Sequence, residues 1–357
     1  MKKKLLYIGL CALTILLLQN PAGSVYYAKK GMEICREVII PSLFPFFVCS
    51  GLLIYSGFCE VLARFFQPVM RPAFSVGGAG AAAFVLGLVS GYPLGALTAC
   101  QLYEKSYLTK TEAERLLAFC NNSGPLFILG AVGISLYASP GIGILLYLSH
   151  ILASLLVGFL FRFYRSGDFS PEVSMPKTEE KPMGEVYSAV MSQSVQNILL
   201  VCGTVIFAST VANLAAELLF SNPSIRLLFV SLSEFASGVT RLSEANLPLL
   251  QKLVLSSGIV GFAGLSVHLQ VLGVVARYHL RLMPYFIGKL LHACFSMLFT
   301  IFLSRLFPEC IAVFESHAPS LAGGFAVSSL YTILAVLTLA LAALLSLLFR
   351  TANKALE

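Results

Sequence analysis

The sequence predicts an all-α, polytopic integral membrane protein, and three observations carry that prediction. Hydrophobic residues make up 57% of the 357-residue chain and charged residues 11%, less than half the roughly 25% usual in soluble domains. A water-facing surface needs more polar cover than this, so the surface must face lipid. The apolar residues also come in long runs, as at 142–160, 197–214, 286–302 and 330–348. Runs of about 17–25 apolar residues match a hydrocarbon core of about 30 Å at about 1.5 Å per residue. Lipid offers the backbone no hydrogen bonds, which makes these runs helices.

Taken in order, the elements begin with an ambiguous N-terminus. Lys2-Lys3-Lys4, an apolar stretch and then Asn20-Pro21-Ala22-Gly23 fit either a signal peptide or an uncleaved first helix at 5–19. Either reading leaves 26–37 outside. Further spans are expected at 38–58, 116–137, 141–161, 189–212, 253–275, 284–306 and 325–348, about eight in all. Two apolar segments are interrupted. At 77–100 the sequence Ser90-Gly91-Tyr92-Pro93-Leu94-Gly95 stands mid-segment, where Pro93 disfavours helix at Tyr92 and the glycines tolerate a sharp bend. At 225–238 the apolar stretch is too short to cross. Both are expected as re-entrant hairpins.

The loop charges orient these elements. Lys2 to Lys4, Arg64, Arg71, Lys105, Lys110, Arg115, Arg162, Arg165, Lys177, Lys181, Arg277, Arg281, Arg350 and Lys354 fall on one side, which predicts cytoplasmic N- and C-termini in a multi-pass cell-membrane protein. Lys29, Lys30, Arg36, Arg226, Arg241 and Lys252 run against the pattern. The net charge of +7 is spread through short loops with no basic stripe, so nucleic acid is not an expected partner. The expected partners are the lipid bilayer and a small polar solute; homo-oligomerisation stays open.

The polar stretch 166–185, rich in Pro, Ser, Glu and Lys, reads as a cytoplasmic linker between two halves. The expected organisation is an anchor helix and external segment (1–37), a first repeat (38–165), a linker (166–188), a second repeat (189–307) and a C-terminal span (308–357). Each repeat holds a span, a re-entrant segment, a span broken by small and polar residues, and an apolar helix. An odd number of crossings between equivalent spans makes the repeats inverted, as in many secondary transporters.

The candidate chemistry sits at the interruptions. Asn121-Asn122-Ser123-Gly124-Pro125 follows a helix whose start is marked by the capping-box spacings Thr109/Glu112 and Thr111/Glu114. Pro125 suits the start of a new helix, with Ser123 or Asn122 as its cap. Two half-helix ends would then present free carbonyls and N–H groups to a solute; the alternative is a packing kink whose amides bond neighbouring helices. Ser90 and Tyr92 belong to the first hairpin tip. Glu234 is the carboxylate of the second, able to accept a hydroxyl or amine or to carry a proton, unless it reaches water or pairs with Arg241. Ser266, His268 and Gln270 follow the second break, Gly261-Phe262-Ala263-Gly264, where His268 lines the cavity or is simply a satisfied buried histidine. His150 and His292 read as structural. No nucleophile–base pair, metal-ligand spacing or nucleotide fingerprint is present, and the nine scattered cysteines form no C-x-x-C pair. No catalytic residue, metal or cofactor is expected.

Several segments together resemble the YlbJ-like family of sporulation integral membrane proteins: Ile40-Pro41-Ser42-Leu43-Phe44-Pro45-Phe46-Phe47, Ser90-Gly91-Tyr92-Pro93-Leu94-Gly95-Ala96, Asn121-Asn122-Ser123-Gly124-Pro125-Leu126-Phe127 and Gly261-Phe262-Ala263-Gly264-Leu265-Ser266-Val267-His268. The family often has Asn-Thr-Ser where this chain has Asn121-Asn122-Ser123. The resemblance implies a gate or nucleoside-recognition type of membrane domain, of the kind also found in concentrative nucleoside transporters and in the membrane part of the ferrous-iron transporter. It also implies a role in endospore formation and cortex assembly. It does not name a solute, since nucleoside recognition is an analogy of fold. The function expected is a permease or channel-like transporter for a small polar solute; the alternative is a non-transporting scaffold or receptor in spore assembly.

Overall fold

The computed structural model describes residues 2–165 and 182–308, and every regular element among them is helical. The expected span at 325–348 and most of the linker lie outside the described residues. Among the described residues, four helical stretches are long and apolar enough to cross a membrane: Pro140–Phe161, Met183–Leu219, Leu249–Tyr278 and Met283–Leu306. A bent pair, Tyr7–Gln19 with Pro21–Ile39, meets at 97° and adds a fifth if it is one span. The protein is therefore a multi-pass, all-α membrane protein.

The first helix, α1 (Lys2–Gln19), exposes Tyr7, Ile8, Leu10, Ile15 and Leu18, an apolar surface suited to lipid. Asn20 caps the next, α2 (Pro21–Ile34), through its side chain. The segment 26–37, expected as a connector, is helical instead. It runs through a π-helical turn (Cys35–Ile39) into α3 (Ile40–Tyr55). Pro41 follows that turn, and its missing N–H leaves the Glu37 carbonyl without its regular i+4 partner. After the amphipathic α4 (Phe58–Phe74) come α5 (Gly80–Ser90) and α6 (Leu94–Glu104), which pack on each other as the first hairpin.

Helix α7 (Lys110–Leu117) starts on the expected capping box. Glu112 N donates to Thr109 Oγ1 at 3.2 Å and Thr109 N to Glu112 Oε2 at 2.8 Å. Thr111/Glu114 does not form a second box. Glu114 instead accepts from Arg281 N at 3.0 Å and from the Tyr164 hydroxyl at 3.1 Å, tying two loops together. Next to it, buried Arg115 donates to the carbonyls of Ser75, Tyr164 and Arg165. The chain then breaks at 118–125 and continues as a π-helix (Leu126–Leu136) and α8 (Pro140–Phe161).

The second half opens with α9 (Met183–Leu219), which reaches back over the last linker residues; Glu185 lies in its first turn, where a carboxylate complements the helix dipole. It packs antiparallel along α2 and α3. Gly31 makes room for Ile206 and Gly51 for Val190. There follow α10 (Pro223–Ser233) and α11 (Phe235–Glu244), the second hairpin; α12 (Leu249–Phe262) and α13 (Gly264–Val275), one span broken at Ala263; and α14 (Met283–Leu306). The order hairpin, broken span, long helix thus occurs twice. The halves interlock, with α6 against α13, α7 and α8 against α14, and α8 against α12.

Candidate functional site

Glycine brings the interruptions of each half together. Gly91 turns the first hairpin at φ +82°, and a Cβ there would stand 3.0 Å from Gly124 N. Both conditions exclude a side chain. In the second half Gly264 has φ +71°, and its Cβ would stand 3.1 Å from Phe235 N. In each half, therefore, a hairpin tip touches the break of the following span. Gly87 and Gly95 press the two arms of the first hairpin onto the Cys120 carbonyl so closely that a Cβ on either would overlap it. This fixes the end of the helix from which Asn121 and Asn122 emerge.

At that break, Asn122 Nδ2 donates to the Phe119 carbonyl at 2.8 Å, as does Ser154 Oγ at 2.8 Å. Asn122 therefore caps the end of the preceding helix. The expected capping of the next helix does not occur: Pro125 occupies its N-cap position with no side-chain bond. The orphan carbonyls at the end of the first half-helix are the stronger claim on an amide donor. Ser123 N donates to His150 Nε2 at 3.1 Å, and His292 Nε2 meets the His150 carbonyl at 3.0 Å, with the two rings 4.3 Å apart. His150 and His292, read from sequence as structural, thus stand at the break itself.

Besides the His292–His150 bond, three more polar bonds cross between the halves at this level. Lys289 Nζ donates to the Asn121 carbonyl at 3.1 Å, the Tyr92 hydroxyl donates to the Val260 carbonyl at 2.6 Å, and the Tyr137 hydroxyl pairs with Ser256 Oγ at 2.8 Å. Lys289 is buried, with its Nζ 5.1 Å from the centre of the Tyr92 ring, a cation–π arrangement. Sequence reading missed this residue because it is one charge in the long apolar run of α14. Its place in mid-span was the available signal, since a charge at bilayer depth is a functional candidate by default.

The other expected residues separate into groups. Tyr92, Ser123 and Gln270 line one small internal pocket of about 30 Å³ together with Phe127 and Phe235. Ser90 bonds Ser50 on α3. His268 Nδ1 meets the Tyr285 hydroxyl at 2.8 Å. Glu234 is buried and caps α11, accepting from Ala236 N at 3.0 Å and Ser237 N at 2.6 Å. Arg241 does not pair with it and lies over the Tyr27 ring. Several buried polar atoms keep unused hydrogen-bonding capacity: both amide atoms of Asn121, Asn122 Oδ1, Ser266 Oγ, His268 Nε2, Gln270 Oε1, and Nδ1 of His150 and of His292. Such atoms are costly in a protein interior, and they concentrate at the two breaks.

A cleft of about 930 Å³ opens between α9 and the pair α6–α13. Gln101, Gln193, Gln196, Asn197 and Arg277 line its polar part, and Pro93 and Gln270 also line it. Gln270 borders the internal pocket as well, so one residue joins cleft and interior.

Residues 37–173 match the family model described as Gate: Nucleoside recognition. The chain is also 32% identical over 326 residues to the sporulation integral membrane protein YlbJ of Bacillus subtilis (strain 168), across 82% of this chain and 80% of the relative. It belongs to the YlbJ-like family of sporulation integral membrane proteins. No solved structure matches. The family model ends within the linker, so its match holds the first hairpin and first break, while the second hairpin, the second break and Lys289 fall outside it.

Proposed function

We propose that this protein is a permease for a small polar solute, acting in spore formation and needed for the cortex. Its site lies between the hairpin tips and the broken spans, and it works by moving one half against the other without a covalent step. The observation that supports this reading is that Gln270 borders both the open cleft and the small internal pocket, in a protein whose two breaks carry buried polar atoms with unused hydrogen-bonding capacity. Broken helices meeting at mid-membrane are a recurrent way of holding a polar solute in lipid. Sporulation follows from the relative's name; the cortex follows from the family resemblance. With the termini on the cytoplasmic side, the cleft opens inward, since Gln193 lies near the start of α9 and Arg277 just beyond α13.

A scaffold is the second reading, and one observation favours it: the polar bonds Tyr92–Val260, Tyr137–Ser256 and Lys289–Asn121 close the halves on each other. A metabolite comparison of parent and deletion cells during sporulation separates the two. A permease predicts a solute that accumulates on one side of a membrane in the deletion strain, restored by the parent gene and not by Asn122→Leu. Unchanged solute distributions alongside a sporulation defect would favour the scaffold.

A further inference from the structure

The open cleft between α9 and the pair α6–α13 changes polarity along its length. On α9 its wall runs from Gln193 and Gln196 to Leu200 and Phe207. On α6 it runs from Gln101 to Leu97, and beside α13 from Arg277 back to Leu269. All three walls are therefore polar at the end that holds Arg277 and apolar at the other. Two polar residues interrupt the apolar part. Thr204 spends its hydroxyl on the Leu200 carbonyl at 2.7 Å, and Gln270 is buried. Leu200, Phe207 and Leu269 are about half exposed, so this part presents hydrocarbon rather than a polar path. The stretch of α9 from Gln193 to Phe207 rises about 21 Å at about 1.5 Å per residue. One leaflet with its headgroup region is about 20–22 Å deep, half of a bilayer of about 40–45 Å. The cleft thus has the depth and the polarity profile of a single leaflet.

Two glycines hold it open. Gly203 on α9 and Gly273 on α13 both line it, and a Cβ on either would meet nothing within 4 Å. Neither has a positive φ. Glycine inside a helix costs stability relative to alanine, and it is usually repaid by close packing, as where Gly31 and Gly51 admit side chains of α9. At Gly203 and Gly273 neither packing nor backbone conformation accounts for the residue. What the pair provides is an unfilled channel between two helices. At the polar end Arg277 is exposed, and no carboxylate lines the cleft among the described residues. Glu104, close by, accepts from the Tyr278 hydroxyl at 3.5 Å.

We infer that the cleft is a binding groove for one membrane phospholipid, with its phosphate on Arg277 and an acyl chain lying between Gly203 and Gly273. A guanidinium suits a phosphate through paired, charge-assisted hydrogen bonds. The leucines and Phe207 supply the apolar contact that a chain gains on leaving the disorder of the bilayer, where packing rather than water drives association. The inference stands without the permease reading. Under that reading it adds a consequence: a seated chain lies across Gln270, so lipid and solute exclude one another from the cleft.

The test uses the full chain, purified in detergent and stripped of lipid. It is illuminated with a phosphatidylglycerol that carries a photoreactive group on one acyl chain, and labelled peptides are mapped by mass spectrometry. Label is expected to concentrate on residues 199–207 and 269–274. Unlabelled phosphatidylglycerol competes. Diacylglycerol, which lacks the phosphate, competes less well, and glycerol 3-phosphate, which lacks the chains, does not. Gly203→Leu and Gly273→Leu fill the channel; both are expected to fold, since the positions are open and leucine favours helix over glycine. Labelling in either falls by roughly tenfold or more, because leucine takes the place of several methylene groups of the chain. Arg277→Gln, at an exposed position, supplies an arm that does not depend on those variants: it brings phosphatidylglycerol down to the level of diacylglycerol. Label spread evenly over the lipid-facing helices overturns the inference. So does labelling that both glycine variants and Arg277→Gln leave unchanged, or competition by glycerol 3-phosphate equal to that of the lipid, which would make the site one for free phosphate. A photoreactive residue in place of Leu200 gives a last check in native membranes. Capture of lipid supports the groove; capture of the chain's own residues 309–357, or of a second copy, overturns it.

Discussion

Lys289 and Asn121 lie 168 positions apart in the chain, and the ammonium of the one donates to the carbonyl of the other at 3.1 Å. The bond joins α14 of the second half to the break of the first. It places a lone charge where the polypeptide has interrupted its own helix, and the consequences can be measured.

Lys289→Met keeps the length of the side chain and removes the charge. The unfolding midpoint of the purified protein is expected to hold or rise, because an uncompensated interior charge is destabilising. Rescue of spore formation in a deletion strain is expected to fail. A lower midpoint together with full rescue would show that the lysine serves packing alone.

Gly91→Ala is expected to destabilise by about 1–3 kcal/mol, since it combines a left-handed backbone with contact against Gly124. Gly130→Ala serves as the comparison, because a Cβ there meets nothing within 4 Å. Equal midpoints for the two variants would falsify the tip-to-break contact.

Asn122→Leu removes a cap that Ser154 also supplies at the Phe119 carbonyl, so membrane insertion and fold are expected to survive. Function is expected to be lost, because Asn122 Oδ1 is one of the unused acceptors at the break. A variant that fully complements the deletion removes Asn122 from the site.

Glu234→Ala takes both acceptors from the start of α11 and is expected to cost about 0.5–2 kcal/mol, the range for a lost helix cap. Glu234→Gln keeps one acceptor and is expected to cost less. Uptake into vesicles under an imposed pH gradient adds a second readout. If Glu234 carries the proton, the Gln variant loses its response to the gradient; an unaltered response assigns the residue to capping alone.

Reporter fusions at Lys177 and Lys354 are both expected to read as cytoplasmic, from the distribution of Lys and Arg among the loops. An external signal at either position removes the inverted relation of the halves, which depends on crossing parity.

The sequence by itself determined the solvent of this protein and where its apolar segments are interrupted. Composition dictates lipid and run length dictates helix, because a continuous apolar run of about 17–25 residues satisfies its own backbone in lipid only as a helix, whereas a barrel strand is shorter and alternates. Local chemistry marked both hairpin tips and both breaks: proline and glycine interrupt hydrogen bonding wherever they fall, and the Thr109–Glu112 box is specified within four residues. Only the tertiary structure decided what meets at those interruptions. That Asn122 caps backwards, that residues 26–37 extend a helix along α9, and that Tyr92 reaches Val260 all depend on surfaces distant in sequence. Lys289 is the plainest case. Its position in an apolar run was visible, but its partner comes from the other half of the chain. A buried charge takes its meaning from what surrounds it, and in this protein long-range packing of the two halves supplies those surroundings.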